Sequence, residues 1–520
     1  MSKFLKGTII LLIAGLVTRV LGFINRIVIA RFIGEEGVGL YMMAFPTLML
    51  VITVTQLGLP VAISKSVAEA EAKGDFRKIK KILVVSLATT FSLSVIFTPV
   101  LFLAAPYLSE LLFTDNRTKL PLLAITPVIP IVAISSVLRG YFQGRQNMKP
   151  AAYSQVLEQI VRITLIAVLT KMFLPYGIEY AAAGAMLAAV LGELISLIYL
   201  LTTFKMKKKF RVRRNFFKQV KSGESTFQEL MGVGIPTLGS RLIGNLSWFL
   251  EPIVVSHSLA IAGIGAAMAT KQYGSLTGLA MPLLFLPSFI TYSLSTSLVP
   301  AISEANSKND KRLIEYRLQQ ALRVVFLTGG LAIVIMYVLA EPLMELMYGS
   351  NSGAIFIKIM APFFLLYYYQ GPLQATLQAL DLARAAMINS LVGSAVKLVV
   401  IFALASQPSF GINGAALGII VGMVLVTFLH FATVLKRISF TFYTREYLKS
   451  FVVMAISGYL GYWTFANLAI PVPMSIMIII ATLVISISYM GLLLIFGVVR
   501  KNDVKRIPKI GHFLSWFAFE

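Results

Sequence analysis

The chain has 520 residues, of which 58% are hydrophobic and only 13% are charged. Soluble globular domains carry about 25% charged residues, so the composition predicts a polytopic membrane protein and excludes a soluble one. The formal net charge is +24. The basic residues cluster in short loops between apolar segments, which is typical of the cytoplasmic loops of membrane proteins and argues against nucleic acid as a partner. The absence of cysteine excludes disulfides and thiolate metal sites.

Apolar stretches long enough to cross a bilayer recur fourteen times along the chain, which predicts an all-α, multi-pass fold. Their approximate limits are 8–32, 39–64, 82–105, 120–143, 151–173, 180–204, 228–253, 273–301, 320–344, 355–379, 386–406, 412–434, 448–468 and 474–498. Basic loops alternate with basic-poor loops such as 34–39 and 175–180. This alternation predicts a cell-membrane protein with both termini in the cytoplasm. The basic tract at 205–221 is interpreted as a topology signal that contacts anionic lipid headgroups.

The first predicted span carries two arginines in an otherwise apolar run, Arg19 near its middle and Arg26 seven residues later. An arginine at the centre of a span costs about 2.5–3.5 kcal/mol on insertion scales. Seven residues make nearly two helical turns, so both side chains leave the helix on the same side, about 10 Å apart. We expect this cationic stripe to face a water-filled cavity. The alternative is that the arginines pair with buried acids or extend to the membrane surface.

An internal repeat relates spans one to six to spans seven to twelve. TRVLG at 18–22 matches SRLIG at 240–244, and AAPYLSELLFTDN at 104–116 resembles AEPLMELMYGSN at 340–351. Six spans is an even number, so both halves enter the membrane in the same direction, and a central cavity is expected between them. The predicted domains are an N-terminal lobe at 1–204, a basic cytoplasmic linker at 205–227, a C-terminal lobe at 228–435, and spans thirteen and fourteen with the tail at 436–520.

The repeat turns single intramembrane cations into pairs that would line this cavity from both sides. Arg19 corresponds to Arg241 in span seven, and Arg162 in span five corresponds to Lys397 in span eleven. We predict that all four bind substrate, together with Arg26.

Three acids lie in or near spans and are candidates for ion coupling. Glu158 precedes Arg162 by four residues and can pair with it on one helix face. Glu193 lies inside span six, and Glu251 lies near the outer end of span seven. A structural ion pair is the alternative for each of them.

Motifs for covalent chemistry are missing from the sequence. It has no Walker A loop, its three histidines are scattered, and its loops are too short to hold a catalytic domain. We therefore expect no metal, no cofactor and no enzymatic activity.

The strings TRVLGFINRIVIARFIGEEGVGLY at 18–41 and QLGLPVAISKSVAEA at 56–70 resemble the polysaccharide-transporter branch of the multidrug/oligosaccharidyl-lipid/polysaccharide flippase superfamily. The resemblance covers essentially the whole chain and extends to the lipid II flippases. It implies two six-helix lobes around a central cavity, alternating access, and movement of a lipid-linked precursor of spore cortex peptidoglycan. It also implies that arginines on the first helix meet the substrate pyrophosphate. Arg19 matches the first of these, whereas the second falls on Asn25, one position before Arg26.

The leading hypothesis is a flippase for an undecaprenyl-pyrophosphate-linked peptidoglycan precursor, because arginines bind pyrophosphate through charge-assisted, bidentate hydrogen bonds. The expected partners are this lipid-linked glycan, membrane lipids and cell-wall synthesis proteins. The alternatives are an exporter of another lipid-linked polysaccharide or of drugs, a membrane-embedded glycosyltransferase, and a scaffold without transport activity.

Overall fold

The structure is a computed structural model that describes residues 3–207, 216–441, 443–467 and 472–499. These residues form helices joined by short turns and include no β-strand, which confirms the predicted all-α architecture. The helices group into two compact units. Unit 1 comprises Met1–Leu279 and Leu398–Ala415, and unit 2 comprises Ala280–Lys397 and Ala416–Glu520. The domain boundaries predicted from the repeat stay a prediction, and the predicted linker and basic tract lie partly outside the described residues, at 208–215.

Unit 1 contains ten complete α-helices among its described residues. They are α1 (Lys3–Gln56), α2 (Leu59–Ala72), α3 (Phe76–Tyr107), α4 (Lys119–Ile125), α5 (Val128–Gly144), α6 (Lys149–Phe173), α7 (Ile178–Lys207), α8 (Phe216–Lys221), α9 (Glu224–Ile261) and α10 (Ala266–Tyr273). A π-helix at Leu108–Leu112 follows α3, and a second at Gly274–Ala280 follows α10. Buried side chains of α2, α3, α5, α7 and α9 form one apolar core in this unit.

Unit 2 holds α11 (Met281–Phe285), α12 (Ser288–Ser307), α13 (Lys311–Val338), α14 (Ala340–Tyr348), α15 (Ala354–Ala379), α18 (Thr444–Asn467) and α19 (Met474–Ile495). It also holds most of α16 (Ala383–Ala405) and of α17 (Gly411–Leu435). Its main core brings together apolar side chains of α12, α13, α15, α16 and α17. Tyr489 of α19 is buried and donates a hydrogen bond to the Leu327 carbonyl of α13, 2.9 Å away.

The membrane-spanning character of the chain is evident in the described helices. Eight segments are long and apolar enough to cross a membrane, and two bent helix pairs raise the number to ten. Each of the fourteen predicted spans falls on a helix or a bent pair. The two counts differ for two reasons. Spans one and two join into one segment, and α6, α9 and α18 are not among the helices that are both long and apolar enough to cross a membrane. The protein is therefore a multi-pass membrane protein.

The prediction of a loop at 34–39 is wrong, because these residues are helical apart from Gly34. Gly34 has φ 62° and ψ −172°, and α1 kinks at this residue. Only glycine adopts this backbone conformation without steric cost. One glycine therefore provides the change of direction for which the sequence suggested a loop.

Candidate functional site

A cavity of about 450 Å³ lies within unit 1, between α1, α4, α5, α6, α7 and α9. Its wall is apolar where the 45–52 part of α1, α4 and the first half of α5 contribute, with Phe45, Leu48 and Ile125 among the side chains. The remaining wall is polar and charged. It is formed by Thr53, Gln56, Arg139, Glu158, Arg162, Glu193, Arg241 and Asn245.

Four of these side chains form a network of ion pairs, here called the charged cluster: Arg139, Glu158, Arg162 and Glu193. Arg139 Nη2 lies 3.0 Å from Glu193 Oε1 and 3.3 Å from Glu158 Oε2. Arg162 Nη2 lies 2.5 Å from Glu158 Oε1. Ser196 Oγ completes the network by accepting a hydrogen bond from Arg139 Nη2 at 2.9 Å.

The helices place the members of the charged cluster for simple geometric reasons. Glu158 and Arg162 are four residues apart on α6 and therefore share one face of that helix. Glycine at position 192 lets α7 approach α6 closely, since a Cβ there would lie 2.9 Å from the Glu158 carbonyl oxygen. The next residue of α7 is Glu193, so this close approach brings its carboxylate beside that of Glu158. Arg139 reaches both carboxylates from α5.

The charged cluster is largely removed from water. Glu158 and Glu193 are buried, with 8% and 3% of their surface exposed. Burial of ions is costly unless each charge has a partner, which the two arginines supply. The Nε atoms of Arg139 and Arg162 are also buried, and no hydrogen-bond partner for them occurs among the described residues. These two Nε–H groups are therefore left unsatisfied by the described residues.

Arg241 and Asn245 extend the cavity wall from α9, one helical turn apart. Asn245 Nδ2 donates a hydrogen bond to Thr53 Oγ1 of α1 at 2.5 Å. Arg241 has an exposed side chain on the cavity wall. Because Arg139 and Arg162 already face the two carboxylates, Arg241 gives the cavity a net positive charge.

The cavity therefore brings together Arg162, Arg241, Glu158 and Glu193 from the sequence-based candidates, and the predicted Glu158–Arg162 pair is present. Arg139 is not among the residues predicted from the sequence, where its only signal is an arginine inside predicted span four.

The candidates from the first half of α1 are not among the described residues that line this cavity. Arg19 is exposed, Asn25 is buried with 6% of its surface accessible, and Arg26 donates to Met42 Sδ at 2.7 Å. The buried Oδ1 atom of Asn25 has no hydrogen-bond partner among the described residues.

Two further candidates lie elsewhere. Glu251 is buried on α9. Lys397 belongs to unit 2, where its side chain packs against Gly422 of α17. No cluster of three or more potential metal-binding side chains occurs in the described part of the chain.

A second cavity, of about 370 Å³, lies within unit 2 between α13, the start of α18 and the segment after α19. Here Arg323 Nε lies 3.3 Å from Glu446 Oε2, and Arg323 Nη2 also donates to the Val498 carbonyl. Tyrosine and glutamine side chains, including Tyr447 and Gln319, form much of the remaining wall.

The model of the polysaccharide biosynthesis protein family matches residues 4–306, which is more than half of the chain. The chain belongs to this family. A second model, MatE, matches residues 259–403. These matches agree with the resemblance carried by the first-helix strings.

Two known relatives and one solved structure are similar to the chain over most of its length. It is 60% identical over 523 residues to stage V sporulation protein B of Bacillus subtilis (strain 168), covering 99% of both chains. It is 25% identical to lipid II flippase MurJ of the same organism, covering 76% of each chain. A solved structure of lipid II flippase MurJ in an inward closed conformation superposes with a TM-score of 0.68 at 15% identity, over 93% of this chain and 98% of that one. The fold is therefore that of these all-helical transporters.

Proposed function

We propose that this chain is a flippase that moves an undecaprenyl-pyrophosphate-linked peptidoglycan precursor across the cytoplasmic membrane by alternating access, for spore cortex synthesis. Family membership and the relatives named for sporulation and for lipid II support the substrate class and the biological role. The observation that carries the proposal is the net positive cavity of unit 1, where three arginines face two carboxylates. An anionic headgroup fits this charge, whereas a cationic drug would be repelled.

Within this proposal, Arg241 is the first contact for the pyrophosphate, because the other two arginines are engaged by carboxylates. Guanidinium groups suit this task since they are always charged and offer parallel donors to phosphate oxygens. Arg19, Arg26 and Lys397 are proposed to bind substrate at other stages of transport. Energy is proposed to come from the membrane potential or an ion gradient, with no covalent step on the protein.

The test is the headgroup accessibility of lipid II in proteoliposomes that contain the purified protein. We expect the wild-type chain to accelerate exposure of the headgroup on the opposite leaflet. Arg241→Ala is expected to slow it about 10–100-fold, since a hydrogen bond to a charged group contributes about 1.5–3 kcal/mol. Arg19→Ala is tested in parallel, and Arg323→Ala in unit 2 is the matched control.

Two results would contradict the proposal in different ways. No acceleration by the wild-type protein, with and without an imposed membrane potential, would exclude lipid II as the substrate. Wild-type rates in both Arg19→Ala and Arg241→Ala would exclude the arginine mechanism while leaving the flippase activity in place.

A further inference from the structure

The two carboxyl groups of the charged cluster meet at one guanidinium nitrogen. Arg139 Nη2 lies within 3.3 Å of oxygens from both Glu158 and Glu193. Two ionised carboxylates beside one guanidinium nitrogen repel each other, so the site favours a proton on one of them.

A single guanidinium nitrogen serves too many acceptors in this arrangement. Arg139 Nη2 carries two hydrogens, yet one oxygen of Glu158, both oxygens of Glu193 and Ser196 Oγ all lie within 3.3 Å of it. A proton between the carboxyls would supply the missing donor. Two carboxyl groups at one site also repel each other when both are ionised, so they lose their protons in two separate steps.

Three charged side chains line the cavity besides the two carboxyl groups. They are Arg139 of α5, Arg162 of α6 and Arg241 of α9, and the cavity side chains of α1 and α4 are not titratable. With both carboxylates ionised, the cavity carries one positive charge. With one carboxylate protonated, it carries two.

Arg162 links this proton to the substrate. Its Nη2 donates to Glu158 Oε1 at 2.5 Å, and the same side chain lines the cavity. An anion that enters the cavity competes with Glu158 for this guanidinium. Protonation of the carboxyl pair weakens the competitor and leaves Arg162 available, and the linkage is reciprocal because proton and anion change each other's affinity by the same factor.

We propose that Glu158 and Glu193 form a proton site that is coupled to anion binding in the cavity, so that the protein takes up one proton with each pyrophosphate group it binds. This inference rests on the proposed function. The proton comes from water in the cavity, enters the carboxyl pair when the anion binds, and leaves when the anion departs. No covalent bond to the protein forms or breaks.

The probe is dimethyl pyrophosphate, a pyrophosphate diester that has no proton of its own to exchange near neutral pH. Its binding to the purified full-length protein is measured by titration calorimetry in two buffers of different ionisation enthalpy. Above the pH at which the pair of the free protein loses its shared proton, we expect the wild-type protein to take up about one proton per bound anion. The dissociation constant is expected to rise about tenfold per pH unit above the pH at which the pair loses its shared proton.

Glu193→Gln keeps the shape of the side chain and removes the exchangeable proton. We expect this variant to bind the anion with no proton uptake and with a dissociation constant that does not change with pH. Glu304→Gln is the matched control, since Glu304 is an exposed acid of α12 that pairs with Lys308, and it should behave as the wild-type protein does.

Binding by the wild-type protein without proton uptake would overturn the inference, and this result requires no variant to fold. Uptake that persists in Glu193→Gln, or no binding at any pH, would overturn it as well. Failure of the proposed function gives a different pattern. In that case dimethyl pyrophosphate binds with proton uptake, but lipid II is not moved in proteoliposomes.

Discussion

The two cavities hold arginine–glutamate pairs in different surroundings. In unit 1, Arg139 lies within the bent pair of apolar helices α4 and α5, and its two carboxylate partners are buried. In unit 2, Arg323 and Glu446 keep 33% and 23% of their side chains exposed, where α18 begins. The Arg323–Glu446 pair connects α13 to the first turn of α18, and water screens it because both side chains are partly exposed. The charged cluster of unit 1 concentrates charge where insertion is most costly, which indicates that function maintains it.

The largest expected effect comes from Arg139→Ala. It removes the guanidinium that both buried carboxylates contact, and breaking a buried ion pair costs about 3–5 kcal/mol of unfolding free energy. Heating the detergent-solubilised protein and following its loss by fluorescence-detected size exclusion measures the change. Arg323→Ala is the control, with an expected loss of about 1 kcal/mol. Equal losses in both variants would remove the distinction between the two cavities.

Gly274→Ala tests whether neutral packing matters as much as charge in unit 1. A Cβ at this position would lie 2.1 Å from the Glu35 carbonyl oxygen and 2.6 Å from the Gly39 amide nitrogen. Overpacking of this kind costs about 1–3 kcal/mol, read from the same heating experiment. Gly244→Ala on α9 is the control, since a Cβ there would meet no atom within 4 Å. An unchanged Gly274→Ala variant would show that α1 and α10 separate easily.

Asp115 is a buried acid of unit 1 that lies outside the predicted spans. Burial alone would raise its pKa, but hydrogen bonds from Arg117 and Thr270 outweigh burial and lower the pKa. A depressed pKa means that the contribution to stability is fully present above the unfolded pKa of about 3.9. That contribution is lost as the pH falls through the folded pKa.

We therefore expect Asp115→Asn to cost about 1 kcal/mol at neutral pH and to flatten the acid side of the profile of melting temperature against pH, below about pH 4. Asp310→Asn is the control, because Asp310 is exposed and accepts its hydrogen bond from the Leu313 amide at the start of α13. If Asp115→Asn keeps the same acid limb as the wild-type protein, the ion pair with Arg117 contributes nothing at this end of the molecule.

The smallest expected effect is that of Glu304→Gln in unit 2. Glu304 and Lys308 form an ion pair 2.6 Å long on an exposed helix face. Solvent screens such a pair and side-chain entropy opposes it. Melting temperature and lipid II translocation should match the wild-type values, and a clear fall in either would show that exposure is a poor guide to the importance of charges in this chain.

Local periodicity predicted the helices because each span is long and apolar, and because helix geometry follows from short-range spacing. The same locality made the Glu158–Arg162 pair predictable. Arg139 was missed because its partners lie 19 and 54 residues away along the chain. No periodicity of one helix records a contact between three helices. The kink at Gly34 was missed because one glycine replaces the turn that six residues of predicted loop suggested.

The site residues predicted from the repeat divide in a similar way. Arg241 and Arg162 line the cavity of unit 1, although the repeat paired them with Arg19 and Lys397. Sequence symmetry identifies equivalent positions on a helix. Which direction a helix face points depends on kinks and on close contacts such as that at Gly192, which the repeat does not encode.

The contact between α1 and α10 also restricts how this sequence can vary over generations. A Cβ at Gly274 would lie 2.6 Å from the Gly39 amide nitrogen, and a Cβ at Gly39 would lie 2.0 Å from the Thr270 carbonyl oxygen. Every missense change in a glycine codon adds at least a Cβ, so the genetic code offers no intermediate step at either position. Any substitution at these two positions is therefore expected to be destabilising, whereas apolar residues of similar volume exchange for one another at much lower cost.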